Sequence, residues 1–205
     1  MKWVGGKGQL LEQFERFYPA GLKDGKVKKY AEPFLGGGAS YFSICEKYQI
    51  KTAYLSDLNR DLILTYKVIQ KKYDVLLDFL EQYQKYYDRT KTENRYALFL
   101  SVRKHFNEQR FEINYKKLSD NWMPRAAQFI FLNKTCFNGL FRLNSKGEFN
   151  VPFGKYKTAN ILTRRILRQF HALYKKLKLR KRHIETAGRK STIIRLFILT
   201  LHTVQ

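Results

Sequence analysis

Cysteine is scarce in this 205-residue sequence, and long apolar runs are absent. The two cysteines, Cys45 and Cys136, are too few for a disulfide framework or a four-cysteine zinc site. Their apolar neighbours predict small buried side chains in a reducing compartment. The most apolar stretch, residues 193–201, is too short to cross a bilayer and contains Arg195. The N-terminal residues carry no apolar run typical of a signal peptide, so the sequence favours a cytoplasmic protein without a membrane span.

Acidic residues are also few. The sequence has 17 Asp and Glu against 40 Lys and Arg, a formal charge of +23 and a sequence pI near 10.0. An imbalance of this size indicates a polyanionic partner, although a merely soluble basic surface is the alternative. Hydrophobic residues make up 44% and aromatic residues 16%, which is enough for a packed core and excludes a wholly disordered chain. The length allows one domain, or one domain with an insertion.

The first sixty residues alternate between helical and extended patterns. A strand is expected to lead into three glycines, Gly36 to Gly38, and Pro19 is expected to end the first helix. Strand, glycine loop, helix and strand form the opening of a parallel α/β sheet. The predicted elements are helix 9–18, strand 28–34, helix 39–48, strand 52–55 and a helix from Asn59 onward.

The middle of the chain changes character. Alternation over residues 140–153, around Asn144-Ser145-Lys146-Gly147, predicts a β-hairpin. A helical and hairpin block that interrupts an α/β pattern is interpreted as an inserted recognition domain. The predicted helices of the middle and later parts span residues 62–87, 93–106, 125–134 and 161–179.

The glycine loop and Asp57 form a candidate cofactor site. Glycines after a strand let the backbone approach a ligand closely, and the N-terminus of the next helix favours negative charge. Asp57 lies about twenty residues on, at the end of the next strand, where nucleotide-binding sheets hold a ribose hydroxyl. This spacing indicates a nucleoside-bearing cofactor, and a merely flexible turn is the alternative.

The N-terminal segment Lys2-Trp3-Val4-Gly5-Gly6-Lys7 is unusual for a structural element. An aromatic ring and a cation could hold an adenine ring and a carboxylate. A frayed basic terminus is the alternative.

Five motifs in one order give this sequence a family resemblance. They are Lys-Trp-x-Gly-Gly-Lys at residues 2–7, Glu-Pro-Phe-Leu-Gly-Gly-Gly at 32–38, Ser-Asp-Leu-Asn at 56–59, Asn-Gly-Leu-Phe-Arg-Leu-Asn at 138–144 and Gly-Glu-Phe-Asn-Val-Pro-Phe-Gly-Lys-Tyr at 147–156. Together they resemble the Dam-type adenine-specific DNA methyltransferases of the GATC-methylating group, which includes DpnII- and MboI-type restriction companions.

The resemblance implies a fold and a division of the chain. The expected fold is a Rossmann-like S-adenosylmethionine-dependent methyltransferase sheet, incomplete here, with an inserted helical target-recognition domain and a β-hairpin. The expected parts are a cofactor-binding half over residues 1–61, a helical recognition insertion over 62–158 with its hairpin near 140–153, and a return to the catalytic domain over 159–205.

The resemblance also implies that S-adenosylmethionine is the methyl donor and that no metal is needed. Asp57 would accept hydrogen bonds from the ribose hydroxyls, and the Phe-x-Gly-x-Gly loop would lie beside the methionine part of the cofactor. The implied cofactor-binding residues are Trp3, Lys7, Phe34, Gly36, Gly38 and Asp57.

Double-stranded DNA is the implied partner. Arg142 would donate two hydrogen bonds to O6 and N7 of a guanine, while Phe137 and Asn138 would occupy the gap left by a flipped adenine. Core packing is the alternative for Phe137 and Leu140, and a solvated hairpin arginine is the alternative for Arg142. The implied DNA-binding residues are Lys2, Phe137, Asn138, Leu140, Arg142 and Pro152. A solvated helix face is the alternative for some of the clustered basic residues that are candidates for phosphate contacts: Arg164, Arg165, Arg168, Lys175, Lys176, Lys178, Arg180, Lys181 and Arg182.

One family feature is missing. The catalytic motif, usually Asp-Pro-Pro-Tyr, requires adjacent prolines, and the four prolines, Pro19, Pro33, Pro124 and Pro152, are all separate. The sequence also departs from the family pattern from about residue 186, as a frameshift or truncation would produce.

The expected function is transfer of a methyl group from S-adenosylmethionine to the N6 amine of adenine in double-stranded DNA, within GATC. The resemblance further suggests a monomer and a possible cognate restriction endonuclease, and the missing motif suggests that this chain is an inactive fragment. A non-catalytic basic nucleic-acid-binding protein is the alternative. It explains the charge but not the ordered appearance of Trp3, Lys7, the glycine loop and Asp57.

Overall fold

The computed structural model describes residues 10–174 and the strand at residues 178–179. These residues divide into two compact units. The sheet unit comprises residues 10–59 with residues 178–179, and the helical unit comprises residues 60–174. The chain is therefore a mixed α/β protein in which each unit has its own set of buried side chains.

The sheet unit contains a small parallel sheet. Strands β1 (Lys29–Glu32), β2 (Thr52–Leu55) and β3 (Lys178–Leu179) lie in the order β1-β2-β3. Lys29 pairs with Thr52 and Glu32 with Leu55, so that β1 and β2 end at the same edge. The sequence predicted both of these strands, but residues 178–179 form a strand beside β2 where a helix was expected.

Three helices complete the sheet unit: α1 (Leu11–Glu15), α2 (Ala20–Lys23) and α3 (Ala39–Lys47). The helix predicted over residues 9–18 ends earlier, at Glu15, and the N–H groups of Phe17 and Tyr18 donate to carbonyls three residues back, as in turns. The prediction that Pro19 ends this helix is therefore wrong, since Pro19 is the N-cap of α2. Helix α3 connects β1 to β2, as predicted. It buries Tyr41 and Ile44 together with Tyr30 of β1.

The helical unit is built around one buried helix. The helices are α4 (Arg60–Lys71), α5 (Tyr73–Arg89), α6 (Arg95–Glu108), α7 (Trp122–Thr135) and α8 (Arg164–Tyr174), with single 3₁₀ turns at Thr92–Asn94, Gln109–Phe111 and Phe137–Gly139. Helix α7 packs against α4, α5 and α6 and is buried over most of its circumference. Its buried residues are not confined to one stripe, which explains its weak helical periodicity in the sequence.

Several helix boundaries differ from the sequence prediction, and α8 spans Arg164–Tyr174 where a helix over residues 161–179 was expected. The continuous helix expected over residues 62–87 is broken at Lys72, whose φ of −137° and ψ of 42° are not helical. Helix α7 begins at Trp122, three residues earlier than expected, with Pro124 in its first turn. A proline is tolerated there because the first N–H groups of a helix have no partner within the helix.

A buried ion pair joins α4 to α7. Arg125 donates from Nε to Asp61 Oδ1 over 2.8 Å and from Nη2 to Asp61 Oδ2 over 3.1 Å. The Arg125 guanidinium also lies over the Phe106 ring and donates to the Phe106 carbonyl. Tyr115 donates its hydroxyl hydrogen to Asp61 over 2.9 Å, and burial with this neighbouring carboxylate raises the pKa of Tyr115 to about 12. The pair satisfies charged groups that would otherwise be costly to bury.

Candidate functional sites

The glycine loop after β1 is tied to the end of β2. The Gly36 N–H donates to Asp57 Oδ2 over 2.8 Å, and the Leu35 N–H donates to the Ser56 carbonyl over 3.0 Å. Gly36 and Gly38 have φ values of 50° and 76°, a region that non-glycine residues rarely adopt. Gly38 is also the N-cap of α3. The loop therefore needs glycine at these two positions to reach Asp57 and enter the helix.

Asp57 holds two backbone groups at once. Its Oδ1 accepts the Asn59 N–H over 2.9 Å, while its Oδ2 accepts the Gly36 N–H. Each carboxylate oxygen can accept more than one hydrogen bond, and Asp57 is only partly buried. A fixed, accessible carboxylate of this kind fits a pair of ribose hydroxyls, so the residues suit a nucleoside-bearing cofactor.

The predicted cofactor residues are partly brought together in the sheet unit. Gly36, Gly38 and Asp57 share one loop cluster, and Phe34 begins the same loop with 40% of its surface exposed. Leu58, directly after Asp57 in the Ser-Asp-Leu-Asn motif, is 62% exposed and was not among the predicted cofactor residues. Trp3, Lys7 and the DNA-binding candidate Lys2 lie outside the described residues.

The predicted hairpin is present as a tight reversal without a continuous strand ladder. Antiparallel bridges join Leu143 to Phe149 and Cys136 to Phe153. At the tip, Asn144 Oδ1 accepts the N–H groups of Lys146 and Glu148 over 3.0 and 2.9 Å. Two backbone bonds close the same turn, because the Asn144 N–H donates to the Glu148 carbonyl and the Gly147 N–H donates to the Asn144 carbonyl, each over 2.9 Å.

Helix α6 and the 3₁₀ turn after it contact the hairpin and hold it in place. The Asn107 side chain accepts the Phe149 N–H over 2.8 Å and donates to the Phe149 carbonyl over 3.1 Å, as a neighbouring strand would. The Phe106 and Phe149 rings meet edge to face with centroids 6.3 Å apart. Arg110 and Glu148 form a further ion pair at 3.3 Å. The hairpin is therefore fixed within the helical unit before any ligand binds.

Phe137 and Asn138 lie on an exposed turn beside the hairpin. The Phe137 N–H donates to the Pro152 carbonyl over 2.8 Å, which brings these two predicted residues together. Asn138 has a φ of 51°, a left-handed conformation that asparagine tolerates better than most residues. Phe137 is 50% exposed, so core packing does not explain it, whereas Leu140 is half-buried.

Arg142 is exposed but not merely solvated. Its Nε donates to Asn150 Oδ1 over 2.8 Å, and its Nη2 lies 3.4 Å from the Asn150 carbonyl. The structure thus gathers Phe137, Asn138, Leu140, Arg142 and Pro152 into one hairpin region. Asn150 was not among the predicted site residues, since its role depends on a cross-hairpin contact that a linear motif does not reveal.

Helix α8 presents a basic face. Leu167 and Phe170 are buried, while Arg165 and Arg168 are exposed. Arg164 pairs with Glu81 over 3.1 Å and is therefore partly neutralised. The other predicted phosphate contacts lie beyond Tyr174, where only the backbone pairing of residues 178–179 is described.

Cys136 is buried and Cys45 is half-buried, and neither forms a disulfide. Burial raises the pKa of the Cys45 thiol. Within residues 10–174 and 178–179, no cluster of three or more His, Cys, Asp or Glu side chains is arranged to hold a metal ion. No helix in this described part of the chain is long and apolar enough to span a membrane.

A glycine loop bound to an acidic residue at the end of the next parallel strand is the arrangement of α/β proteins that hold nucleoside cofactors. Here that arrangement occurs in a chain that also carries a basic helix and an exposed arginine hairpin. Comparison with known proteins identifies the family to which the chain belongs. The chain belongs to the D12 class N6 adenine-specific DNA methyltransferases, whose family model matches residues 3–192. The Dam-type resemblance predicted from the sequence is confirmed.

Several curated proteins are similar to this chain. It is 43% identical over 179 residues to the Type II methyltransferase M.MjaIII of Methanocaldococcus jannaschii, covering 87% of this chain and 60% of that protein. It is 40% identical over 157 residues to the DNA N-6-adenine-methyltransferase of Escherichia phage P1, covering 77% of this chain and 18% of that protein.

The DNA adenine methylase of Escherichia coli K12 is 31% identical over 157 residues, which cover 77% of this chain and 48% of that protein. The chain therefore spans 60% or less of the length of each of these three relatives. The family match ends at residue 192, inside the segment whose sequence departs from the expected pattern. That segment lies outside the described residues.

Proposed function

We propose that this chain forms the cofactor-binding and DNA-recognising part of an enzyme that transfers a methyl group from S-adenosylmethionine to the N6 amine of adenine in double-stranded DNA. The family match over residues 3–192 carries this proposal. The hydrogen bond from Gly36 to Asp57 supports it, because it joins two motifs of the family in one candidate site.

In the proposed cofactor site, each residue has a distinct task. The Asp57 carboxylate accepts hydrogen bonds from the ribose hydroxyls, and its existing contacts with Gly36 and Asn59 keep it oriented. The glycine loop lets the backbone approach the methionine part of the cofactor, with Phe34 beside it. Trp3 and Lys7 complete the pocket in this proposal. When bound, S-adenosylmethionine supplies the methyl group.

In the proposed DNA site, the hairpin region reads sequence and the basic residues bind phosphates. Arg142 donates to a guanine in the major groove, and Leu140 and Pro152 offer apolar contact to a thymine methyl group. Phe137 and Asn138 fill the space left by the extruded adenine, for which their exposure is suitable. Lys2 contacts a base of the site, and the proposed target is GATC.

The proposed fold is a Rossmann-like methyltransferase sheet with an inserted recognition domain. The order of the described elements supports it: β1, α3 and β2 are followed by a helical unit, and the chain then returns to the sheet at β3. The proposed parts are residues 1–61 for the cofactor, 62–158 for recognition and 159–205 for the return to the catalytic domain. A monomeric state and a cognate restriction endonuclease stay predictions.

We also propose that this 205-residue chain by itself does not transfer methyl groups to DNA. An adenine amine must be held beside the methyl donor with its hydrogens accepted by fixed oxygens, and the family uses Asp-Pro-Pro-Tyr for this. No two prolines are adjacent in these 205 residues. Positioning of the reactants can lower the activation barrier by about 7–11 kcal/mol, and without the motif this contribution is lost.

Calorimetric titration of the 205-residue chain with S-adenosylmethionine tests the proposal against its rival. The proposed site predicts saturable binding with one cofactor per chain, which Asp57→Ala weakens. A non-catalytic basic nucleic-acid-binding protein would bind duplex DNA with strong salt dependence but would not bind S-adenosylmethionine. DNA binding without cofactor binding would therefore favour the rival.

A further inference from the structure

The guanidinium of Arg142 is held along one edge. Nε donates to Asn150 Oδ1 over 2.8 Å, and Nη2 lies 3.4 Å from the Asn150 carbonyl oxygen. Both acceptors belong to the residue across the hairpin. Arg142 is exposed, and no ion pair joins it to an acidic side chain within the described residues.

The planar shape of a guanidinium determines what this contact leaves available. Its donors form a rigid fork, with a side edge made by Nε and Nη2 and an end edge made by Nη1 and Nη2. Asn150 occupies the side edge. The end edge, which has two parallel N–H groups, then points away from Asn150 and matches the O6 and N7 acceptors of a guanine.

We propose that Asn150 is a positioning residue that holds the side edge of Arg142, so that Arg142 reads guanine through its end edge. This inference rests on the proposed role of Arg142 in DNA recognition. Fixing a long side chain before binding reduces the conformational entropy that is lost on contact with the base. Asn150 thereby contributes to discrimination without touching the base.

The hairpin does not need this side-chain contact for its own shape. The Asn150 N–H donates to the Arg142 carbonyl over 3.2 Å, and this backbone bond survives side-chain truncation. The tip is closed by Asn144, and the base is held by Asn107 on Phe149. The Asn150 amide oxygen therefore acts on the Arg142 guanidinium more than on the hairpin.

The test compares two GATC duplexes that differ only at position 7 of the guanine on each strand. In one of them, 7-deazaguanine replaces guanine, so that the N7 acceptor is lost. Fluorescence anisotropy gives the ratio of dissociation constants for the two duplexes with the full 205-residue chain. We expect a ratio of about ten for the unmodified chain and a ratio near one for Arg142→Ala.

Two variants at the same position isolate the positioning role. Asn150→Ala removes the acceptor and should lower the ratio severalfold although Arg142 is still present. Asn150→Asp keeps an acceptor for Nε and should preserve the ratio, while its added negative charge weakens binding of both duplexes alike. Asn160→Ala, an exposed asparagine in the helical unit, is the matched control and should leave the ratio unchanged.

The outcomes separate the two proposals. If the unmodified chain and Arg142→Ala both give a ratio near one, Arg142 does not contact the guanine N7. The positioning role of Asn150 is then also wrong. If Arg142→Ala removes discrimination but Asn150→Ala keeps the full ratio, Arg142 reads the base and Asn150 does not position it. Loss of discrimination in Asn150→Asp as well as Asn150→Ala would also overturn the positioning role.

Discussion

The backbone N–H of Gly36 and the carboxylate of Asp57 are joined by a 2.8 Å hydrogen bond, although 21 positions separate them in the chain. The parallel pairing of β1 and β2 makes this contact possible, because both strands end at the same edge. The carboxylate therefore holds the glycine loop in addition to its proposed role in cofactor binding. Its removal should affect both the loop conformation and the affinity for the cofactor.

Asp57→Ala should raise the dissociation constant for S-adenosylmethionine by at least about tenfold, since a hydrogen bond to a charged group contributes about 1.5–3 kcal/mol. Calorimetric titration measures this change. Asp24→Ala removes an exposed carboxylate of the same sheet unit and is the control, with no change expected. Equal affinities in the Asp57→Ala and unmodified chains would refute the ribose assignment.

Asp61→Ala should destabilise the helical unit by about 3–5 kcal/mol, because it leaves the Arg125 guanidinium buried without its counter-charge. Urea unfolding followed by circular dichroism measures the free energy. The exposed pair Lys104 and Glu108 provides the comparison: Glu108→Ala should cost less than about 1 kcal/mol. Similar costs at the two sites would show that the buried pair contributes no more than a surface pair.

Asn138→Val should destabilise the fold by about 1–3 kcal/mol, because a β-branched residue resists the φ of 51° at this position. Asn138→Gly accepts that φ freely and should keep the unfolding free energy within about 1 kcal/mol of the unmodified chain. If the Asn138 side chain acts on DNA, the glycine variant should still bind GATC duplex more weakly. Unchanged DNA affinity in the glycine variant would limit Asn138 to a backbone role.

The 205-residue chain should not methylate DNA, because no adjacent prolines provide the family's catalytic motif. The measurement is transfer of a tritiated methyl group from S-adenosylmethionine to unmethylated GATC-containing DNA, with an active member of the family as positive control. We expect incorporation at the level of a protein-free blank. Stoichiometric or faster incorporation by the chain alone would show that other residues supply the catalytic contacts.

Local patterns in the sequence predicted β1, the glycine loop, α3 and β2 of the sheet unit, but not α2 or β3. The glycines, the spacing to Asp57 and the short apolar strand at residues 52–55 depend on backbone conformation and side-chain alternation, which act over a few residues. The same reasoning predicted the reversal at Asn144 to Gly147. It missed the break at Lys72 and the start of α7 at Trp122.

The sequence by itself determined the family, the candidate cofactor residues and the arginine hairpin, because these follow from residue types at fixed spacing. Only the tertiary structure decided which distant groups meet. It placed residues 178–179 in a strand beside β2, paired Asp61 with Arg125, and set Asn107 and Asn150 against the hairpin. Each of these contacts joins residues through hydrogen-bond geometry and burial, which depend on how the helices and strands pack and leave no periodic mark along the chain.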